Sequence, residues 1–260
     1  MAYGFAAITG ATSGIGAAFA RLLPAETSLL LTGRNAERLA EATAALAASG
    51  RRVETIIADL ATEAGRRTFI EAAEALPIDL LVNNAGLGRL GRIADNPAAA
   101  EREMVEVNVV AVVTITRALL PAMLARAEAS GRRAGIIIVA STAAFQPLPY
   151  LATYGASKTF DLVYAEALAG ELRGAPIDVL ALCPGGTDTA FMERAGMTSS
   201  SVGRLDPADR VAREGLAALG RRTVHVVGGL NRLGAALTRL APRGLVVAIA
   251  ARVMARLLPH

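Results

Sequence analysis

The chain has no tryptophan, one cysteine, two histidines and one lysine among its 260 residues. A single cysteine, Cys183, excludes a disulfide framework and any metal site made of cysteine clusters. His225 and His260 stand too far apart in sequence to form a local metal motif, so no metal is expected. With aromatics at 4%, there is too little material for the stacking platform of a nucleic-acid binder. Charge of one sign never accumulates. The 27 cations are scattered among 23 acids for a net +4, which leaves no basic tail or patch for nucleic acid. No uninterrupted apolar run reaches the about 18 residues of a membrane span. The opening MAYGFAAITGATSGIG lacks the cationic start and apolar length of a secretion signal, and a cytoplasmic location is expected. The shortage of lysine is of another kind. Of the 27 cations, 26 are arginine, and the exception is Lys158. An ammonium is a compact point charge where a guanidinium is a planar fork, so Lys158 is a candidate functional residue on composition alone.

What the chain does have is apolar residue in quantity, 53%, enough for a large core. Short apolar runs predict strands at 4–9, 28–31, 52–58, 78–82, 135–140, 177–182 and 223–227. Several are continuously apolar, as strands buried on both faces are. Helical patterns fill the gaps at 14–23, 35–48, 62–75, 99–125, 153–173 and 207–219. Strict β–α alternation predicts an α/β fold, a doubly wound parallel sheet with helices on both faces. No linker or repeat interrupts it, so residues 1–260 are expected to form one domain, with 228–260 a helical C-terminal extension.

The first strand runs into Thr9-Gly10-Ala11-Thr12-Ser13-Gly14-Ile15-Gly16 and then a helix. Glycines 10, 14 and 16 permit a tight turn, close approach of a pyrophosphate and close helix–strand packing, with the helix amides aimed at the phosphate. An ordinary βα turn is the alternative. The second strand ends Leu31-Thr32-Gly33-Arg34. An acid there would bind the 2′-hydroxyl of NAD; here Gly33 offers none, and Arg34 suits the 2′-phosphate of NADP. A solvated surface cation is the competing reading of Arg34. Asp59 and Leu60 end the third strand, near an adenine edge, although Asp59 also suits a helix N-terminus. Asn83-Asn84-Ala85-Gly86 closes the fourth strand, where ligands bind in open α/β sheets; a plain turn explains it equally well. Ser141 follows the fifth strand. Tyr154 and Lys158 are four apart on a helix and so share a face. An ammonium at that distance favours the phenolate, and a phenol so placed can exchange a proton with a carbonyl or alcohol oxygen.

Taken together, TGATSGIG at 9–16, NNAG at 83–86, Asn108 in VNVVAVV, Ser141, YGASK at 154–158 and Pro184-Gly185 followed by Thr187 and Thr189 resemble the short-chain dehydrogenase/reductase family, in its compact single-domain branch. The resemblance covers roughly the first three-quarters of the chain. It implies a Rossmann-type fold and oxidoreductase activity. Tyr154 would be the general acid/base, and Lys158 would support it and hold the nicotinamide ribose. Ser141 would orient the substrate oxygen, and Asn108 would anchor a water behind Lys158. Gly10, Ser13, Gly14, Ile15 and Gly16 would line the phosphates, Arg34 the 2′-phosphate, and Asp59 and Leu60 the adenine. Asn83, Ala85 and Gly86 would border the adenosine ribose, and Pro184, Gly185, Thr187 and Thr189 the nicotinamide. NADP(H) is the implied cofactor, with NAD(H) the alternative, because Ser13 stands where many NADP-preferring relatives carry a basic residue. A homodimer or homotetramer is implied as well. A cofactor-binding protein without turnover is the competing function.

The segments expected to face substrate, 142–151 and 190–206, are mostly apolar: Phe145, Leu148, Tyr150, Leu151, Phe191, Met192 and Met197. They suit a lipophilic carbonyl or alcohol. The Ser-rich part of the second reads as a lid. Near the end, LVVAIAARVMARLL forms an apolar helix with Arg252 and Arg256 on it. Burial, a partner subunit and peripheral membrane contact all remain open for this helix.

Overall fold

The computed structural model describes residues 3–48, 50–196 and 205–258. Seven strands, β1 (Phe5–Thr9), β2 (Ser28–Gly33), β3 (Val53–Ile57), β4 (Leu80–Asn83), β5 (Ala134–Val139), β6 (Ile177–Cys183) and β9 (Val224–Val226), form one parallel sheet in the order β3-β2-β1-β4-β5-β6-β9. All seven fall where the apolar runs predicted them. The central strands are apolar throughout because both of their faces are covered. In β1 the side chains of Phe5 and Ala7 enter one core, and those of Ala6 and Ile8 the other. The first core is closed by Phe69 of α3 (Glu63–Glu74), Ile115 of α5 (Ala111–Ser130) and Leu162 of α6 (Ala152–Glu171). The second is closed by Phe19 of α1 (Gly14–Leu22), Leu39 of α2 (Ala36–Ala47) and Val211 of α8 (Ala208–Ala218).

The order in which strands are added reverses between β1 and β4, which pair side by side and parallel. Connections leave in opposite directions there and open a crevice at the carboxyl ends of the strands. The helix expected at 99–125 is longer. It comprises α4 (Ala98–Val105), a π turn (Glu106–Val110) and α5, which ends on Gly131 in the left-handed conformation, φ +66°. Its length and apolar composition would let it cross a membrane, yet Val112, Ile115, Leu119 and Met123 are buried in the sheet core. Periodicity did not anticipate a 3-10 turn (Thr142–Phe145), the short α7 (Ala190–Arg194), or the two-residue pair β7 (Thr187–Asp188) with β8 (Asp206–Pro207). The C-terminal extension is two helices, α9 (Gly229–Leu240) and α10 (Arg243–Ala255), because Pro242 cannot continue the first and starts the second.

Candidate active site

The turn after β1 is shaped by backbone that only glycine tolerates well. Gly10 and Gly14 have φ of +65° and +56°, and a Cβ on Gly14 would stand 2.7 Å from Cγ2 of Thr189. Gly16 has no room for a side chain, as its Cα faces the Gly10 carbonyl and Asn84. Ser13 precedes α1 in an extended conformation, and its hydroxyl does not cap the helix. The first-turn amides of α1 therefore face the cleft without a side-chain partner, which is the arrangement that receives a phosphate.

Asn84 bolts this turn to the end of β4. Its Nδ2 donates to the carbonyls of Thr9 (2.9 Å) and Gly10 (3.1 Å), while the Thr9 hydroxyl accepts from the amides of Asn84 (2.9 Å) and Ala85 (3.0 Å). Sequence reasoning passed over Asn84 and chose Asn83 instead. The Asn83 side chain points into the core and donates to the Thr116 hydroxyl at 2.9 Å, and it does not line the cleft. Side chains alternate along a strand, so consecutive asparagines at the end of β4 face opposite ways.

A cleft of about 440 Å³ runs across the carboxyl edge of the sheet. It is lined by Gly10, Ser13, Gly14, Ile15, Arg34, Asp59, Leu60, Ala85, Gly86, Ser141, Tyr154, Lys158, Pro184, Gly185, Thr187 and Thr189. Of the expected cofactor residues, Gly16 and Asn83 lie behind its wall. At one end Arg34 is held by Glu103 at 2.5 Å, with Asp59 at 4.0 Å. Arg38, in the first turn of α2, and Arg194 also line this end. Burial lowers the pKa of Arg194 first of all, and the charges of Arg38 and Arg34 lower it further. Three guanidiniums thus converge where Arg34 alone was expected. The i, i+4 spacing of Arg34 and Arg38 was available in the sequence; the arrival of Arg194 from α7 was not. A Cβ on Gly33 would run into the methyl of Thr12, so the usual acid would have to displace that side chain.

At the other end lie Ser141, Tyr154 and Lys158. Ser141 is buried, accepts from the Ala143 amide at 3.1 Å and faces the Pro184 carbonyl at 3.4 Å. Lys158 is 5% exposed. Its Nζ donates to the Val139 carbonyl (2.8 Å) and to Oδ2 of Asp161 (2.9 Å). An ammonium has three donors, which leaves one for the cleft it lines. Burial alone would lower the Lys158 pKa, but the charges of Asp161 and Tyr154 outweigh it and hold the ammonium above its ordinary value. Burial pushes the Asp161 carboxyl up, and Lys158 partly offsets this. Asp161 Oδ1 is buried without a hydrogen-bond partner. Nothing in the sequence pattern singled out Asp161, although its place three residues after Lys158 on a helix was the available signal.

Asn108 sits in the π turn, fully buried. Its amide binds both backbone groups of Leu87, accepting from N–H at 2.8 Å and donating to C=O at 2.9 Å, and donates to the Ser157 hydroxyl at 2.9 Å. It ties the loop after β4, at Leu87, to the helix that carries Tyr154. The apolar wall includes Leu148, Leu151, Phe191 and Met192 as expected, joined by Met254 and Leu257 from the C-terminal extension. Phe145 instead packs against the core and lies beneath the Arg239 guanidinium, and Tyr150 packs against the small cluster of Leu90, Leu148, Leu151 and Ala250. The Tyr154 and Phe191 rings are 5.4 Å apart. Met197 and most of the lid segment lie outside the described residues, as does His260. Cys183 and Tyr3 are buried, and Tyr164 packs against the core.

A phosphate-receiving turn at the switch point of a parallel sheet, opening onto a tyrosine–lysine pair, defines a Rossmann-type oxidoreductase. The model of the short chain dehydrogenase family matches residues 5–199, and the chain belongs to that family. It is 38% identical over 199 residues to 1-deoxy-11-beta-hydroxypentalenate dehydrogenase of Streptomyces exfoliatus, covering 75% of this chain and 70% of that protein. Among solved structures it resembles a short-chain dehydrogenase from Sphingobium yanoikuyae in complex with NADPH (TM-score 0.77, 28% identity, 93% of this chain and 94% of the other). It likewise resembles a short-chain dehydrogenase/reductase from Burkholderia phymatum in complex with NAD (TM-score 0.79, 26% identity, 91% and 92%).

Proposed function

We propose that this protein is an NADP(H)-preferring oxidoreductase that interconverts a carbonyl and an alcohol on a lipophilic substrate. The observation that carries the reading is a single cleft with Ser141, Tyr154 and Lys158 at one end and three guanidiniums at the other. The nicotinamide, when bound, exchanges hydride with the substrate carbon. The chain supplies the rest. Tyr154 gives its hydroxyl proton to the substrate oxygen in reduction and takes it back in oxidation. The remaining Lys158 proton stabilises the phenolate left behind, and the Ser141 hydroxyl orients the same oxygen. Gly10, Ser13, Gly14 and Ile15 hold the phosphates, and Ala85, Gly86, Pro184, Gly185, Thr187 and Thr189 shape the ribose and nicotinamide places.

Arg34, Arg38 and Arg194 favour a 2′-phosphate. The two carboxylates already on Arg34 make the preference moderate, with NAD(H) as the weaker alternative. Leu148, Leu151, Phe191, Met192, Met254 and Leu257 favour an apolar substrate. The working unit in this reading is a cytoplasmic homodimer or homotetramer built on α5 and α6.

The test is a panel of ketones, aldehydes and secondary alcohols followed by the absorbance of reduced nicotinamide. Tyr154→Phe should lower turnover by about 10²–10⁴-fold and leave cofactor affinity within a few-fold. A variant that keeps most of its activity refutes the proton-transfer role. Cofactor binding with no turnover across the panel favours a silent binding protein.

A further inference from the structure

Eight of the twelve large apolar side chains that stand exposed among the described residues lie on α9 and α10. On α9, Leu230, Leu233, Leu237 and Leu240 follow i, i+3, i+7, i+10 spacing and form one stripe, with Leu230 and Leu240 86% and 84% exposed. The opposite face, Asn231, Ala235 and Thr238, is the half-buried one. On α10, Val246 is buried, and Ala250 and Met254 pack against Leu148 and Leu151 of the cleft wall. Leu245, Ile249 and Val253 form the outward stripe, with Arg252 and Arg256 beside it on the helical wheel. The charge pattern is one-sided. After Glu214 the sequence holds seven arginines and no acid. Arg232, Arg239, Arg243, Arg252 and Arg256 are all exposed, and none has an ion-pair partner among the described residues.

We propose that α9 and α10 are a peripheral docking surface for an anionic lipid bilayer, leucines in the acyl boundary and arginines at the headgroups. Apolar stripes flanked by cations and free of acids are what an interfacial helix requires. Charge decides against a second copy of the chain. A two-fold interface brings the same patch together from both sides, and this patch would set arginine against arginine with no carboxylate to pair. Phosphate headgroups supply the missing charge. Long arginine stems lie along apolar surface while their heads stay polar, which suits Arg252 and Arg256. Met254 and Leu257, on the same C-terminal segment, line the cleft, so a docked protein holds its substrate wall beside the bilayer. The docking itself does not depend on the substrate.

The test is co-sedimentation of the full chain with vesicles of phosphatidylcholine alone and of phosphatidylcholine mixed with phosphatidylglycerol. Each arginine near an anionic surface contributes about five-fold in partitioning. Two or more should therefore give at least ~10-fold stronger binding to the mixed vesicles, falling as salt shortens the Debye length. Leu233→Glu with Leu237→Glu, both at exposed positions, should abolish binding while leaving the melting temperature and cofactor affinity unchanged. Arg232→Gln with Arg243→Gln should cut the preference for anionic lipid by at least ~10-fold. Equal binding to both vesicles, no binding to either, or vesicle binding that survives the glutamates overturns the proposal. So does an oligomer on size exclusion that the glutamates dissociate, because the face is then a protein interface.

Discussion

Replacing Asp161 by Asn changes one charge and almost no volume. In the native protein the Lys158 and Asp161 side chains are 6% and 1% exposed and 2.9 Å apart. At an effective dielectric of about 20, the Coulomb attraction at that distance is about 6 kcal/mol. Taking both groups out of water consumes much of it, so the pair itself is worth less. Removing one member is different, because the survivor is then a buried, uncompensated ion. That costs about 3–5 kcal/mol, and we expect Asp161→Asn to lose this much at pH 7. The pH dependence has a definite sign. In the wild type the Lys158 pKa is raised, so its contribution is fully present below the ordinary lysine value and is lost only as pH rises through the higher folded one. In Asp161→Asn the opposing effect of burial dominates and the folded pKa falls below the unfolded one. The unfolded state then binds more protons, and stability rises with pH up to the ordinary lysine range. Urea unfolding of both proteins at pH 7 and pH 9 measures this. Arg133, Asp178 and the other exposed pairs are common to both proteins and cancel. A loss under about 1 kcal/mol, or one that does not shrink at pH 9, refutes the view of Asp161 as the counterion of the site lysine.

Arg38→Ala should weaken NADPH binding by about ten-fold or more, the worth of one charge-assisted hydrogen bond, and leave NADH unchanged. Arg34→Ala should do less, because Glu103 and Asp59 already engage that guanidinium. Titration of both cofactors decides, and equal losses for the two would make these arginines general phosphate contacts. Arg51→Leu should destabilise the fold by about 3 kcal/mol, since the buried guanidinium donates to the carbonyls of Ala20, Leu23 and Pro24 at the end of α1, and buried carbonyls without donors are costly. A urea midpoint shift worth under about 1 kcal/mol would contradict it. The Cys183 thiol, pushed up to about 12 chiefly by burial, should resist a disulfide reagent at pH 8 in the native protein and react promptly in denaturant. Rapid native labelling would mean that the strand end opens.

Local and periodic features of the chain were legible in its sequence. The seven strands announce themselves as apolar runs, because burial on both faces removes the polar alternation. Gly10, Gly14, Tyr154 and Lys158 were legible for a similar reason: a left-handed turn admits few residues, and a pair four apart on a helix must share a face. What tertiary structure decided is everything that depends on which way a side chain turns and on what arrives from elsewhere. Asn83 and Asn84 are adjacent and identical in type, and only the pleat of β4 sends one into the core and the other onto the glycine turn. Arg194 reaches Arg34 and Arg38 across about 160 residues, and Met254 and Leu257 reach the cleft wall from a segment beyond the matched family region. Asp161 becomes the counterion of Lys158 because burial takes most of the ammonium out of water, a condition that composition and spacing do not carry. Periodicity is a property of the chain; proximity and desolvation are properties of its packing.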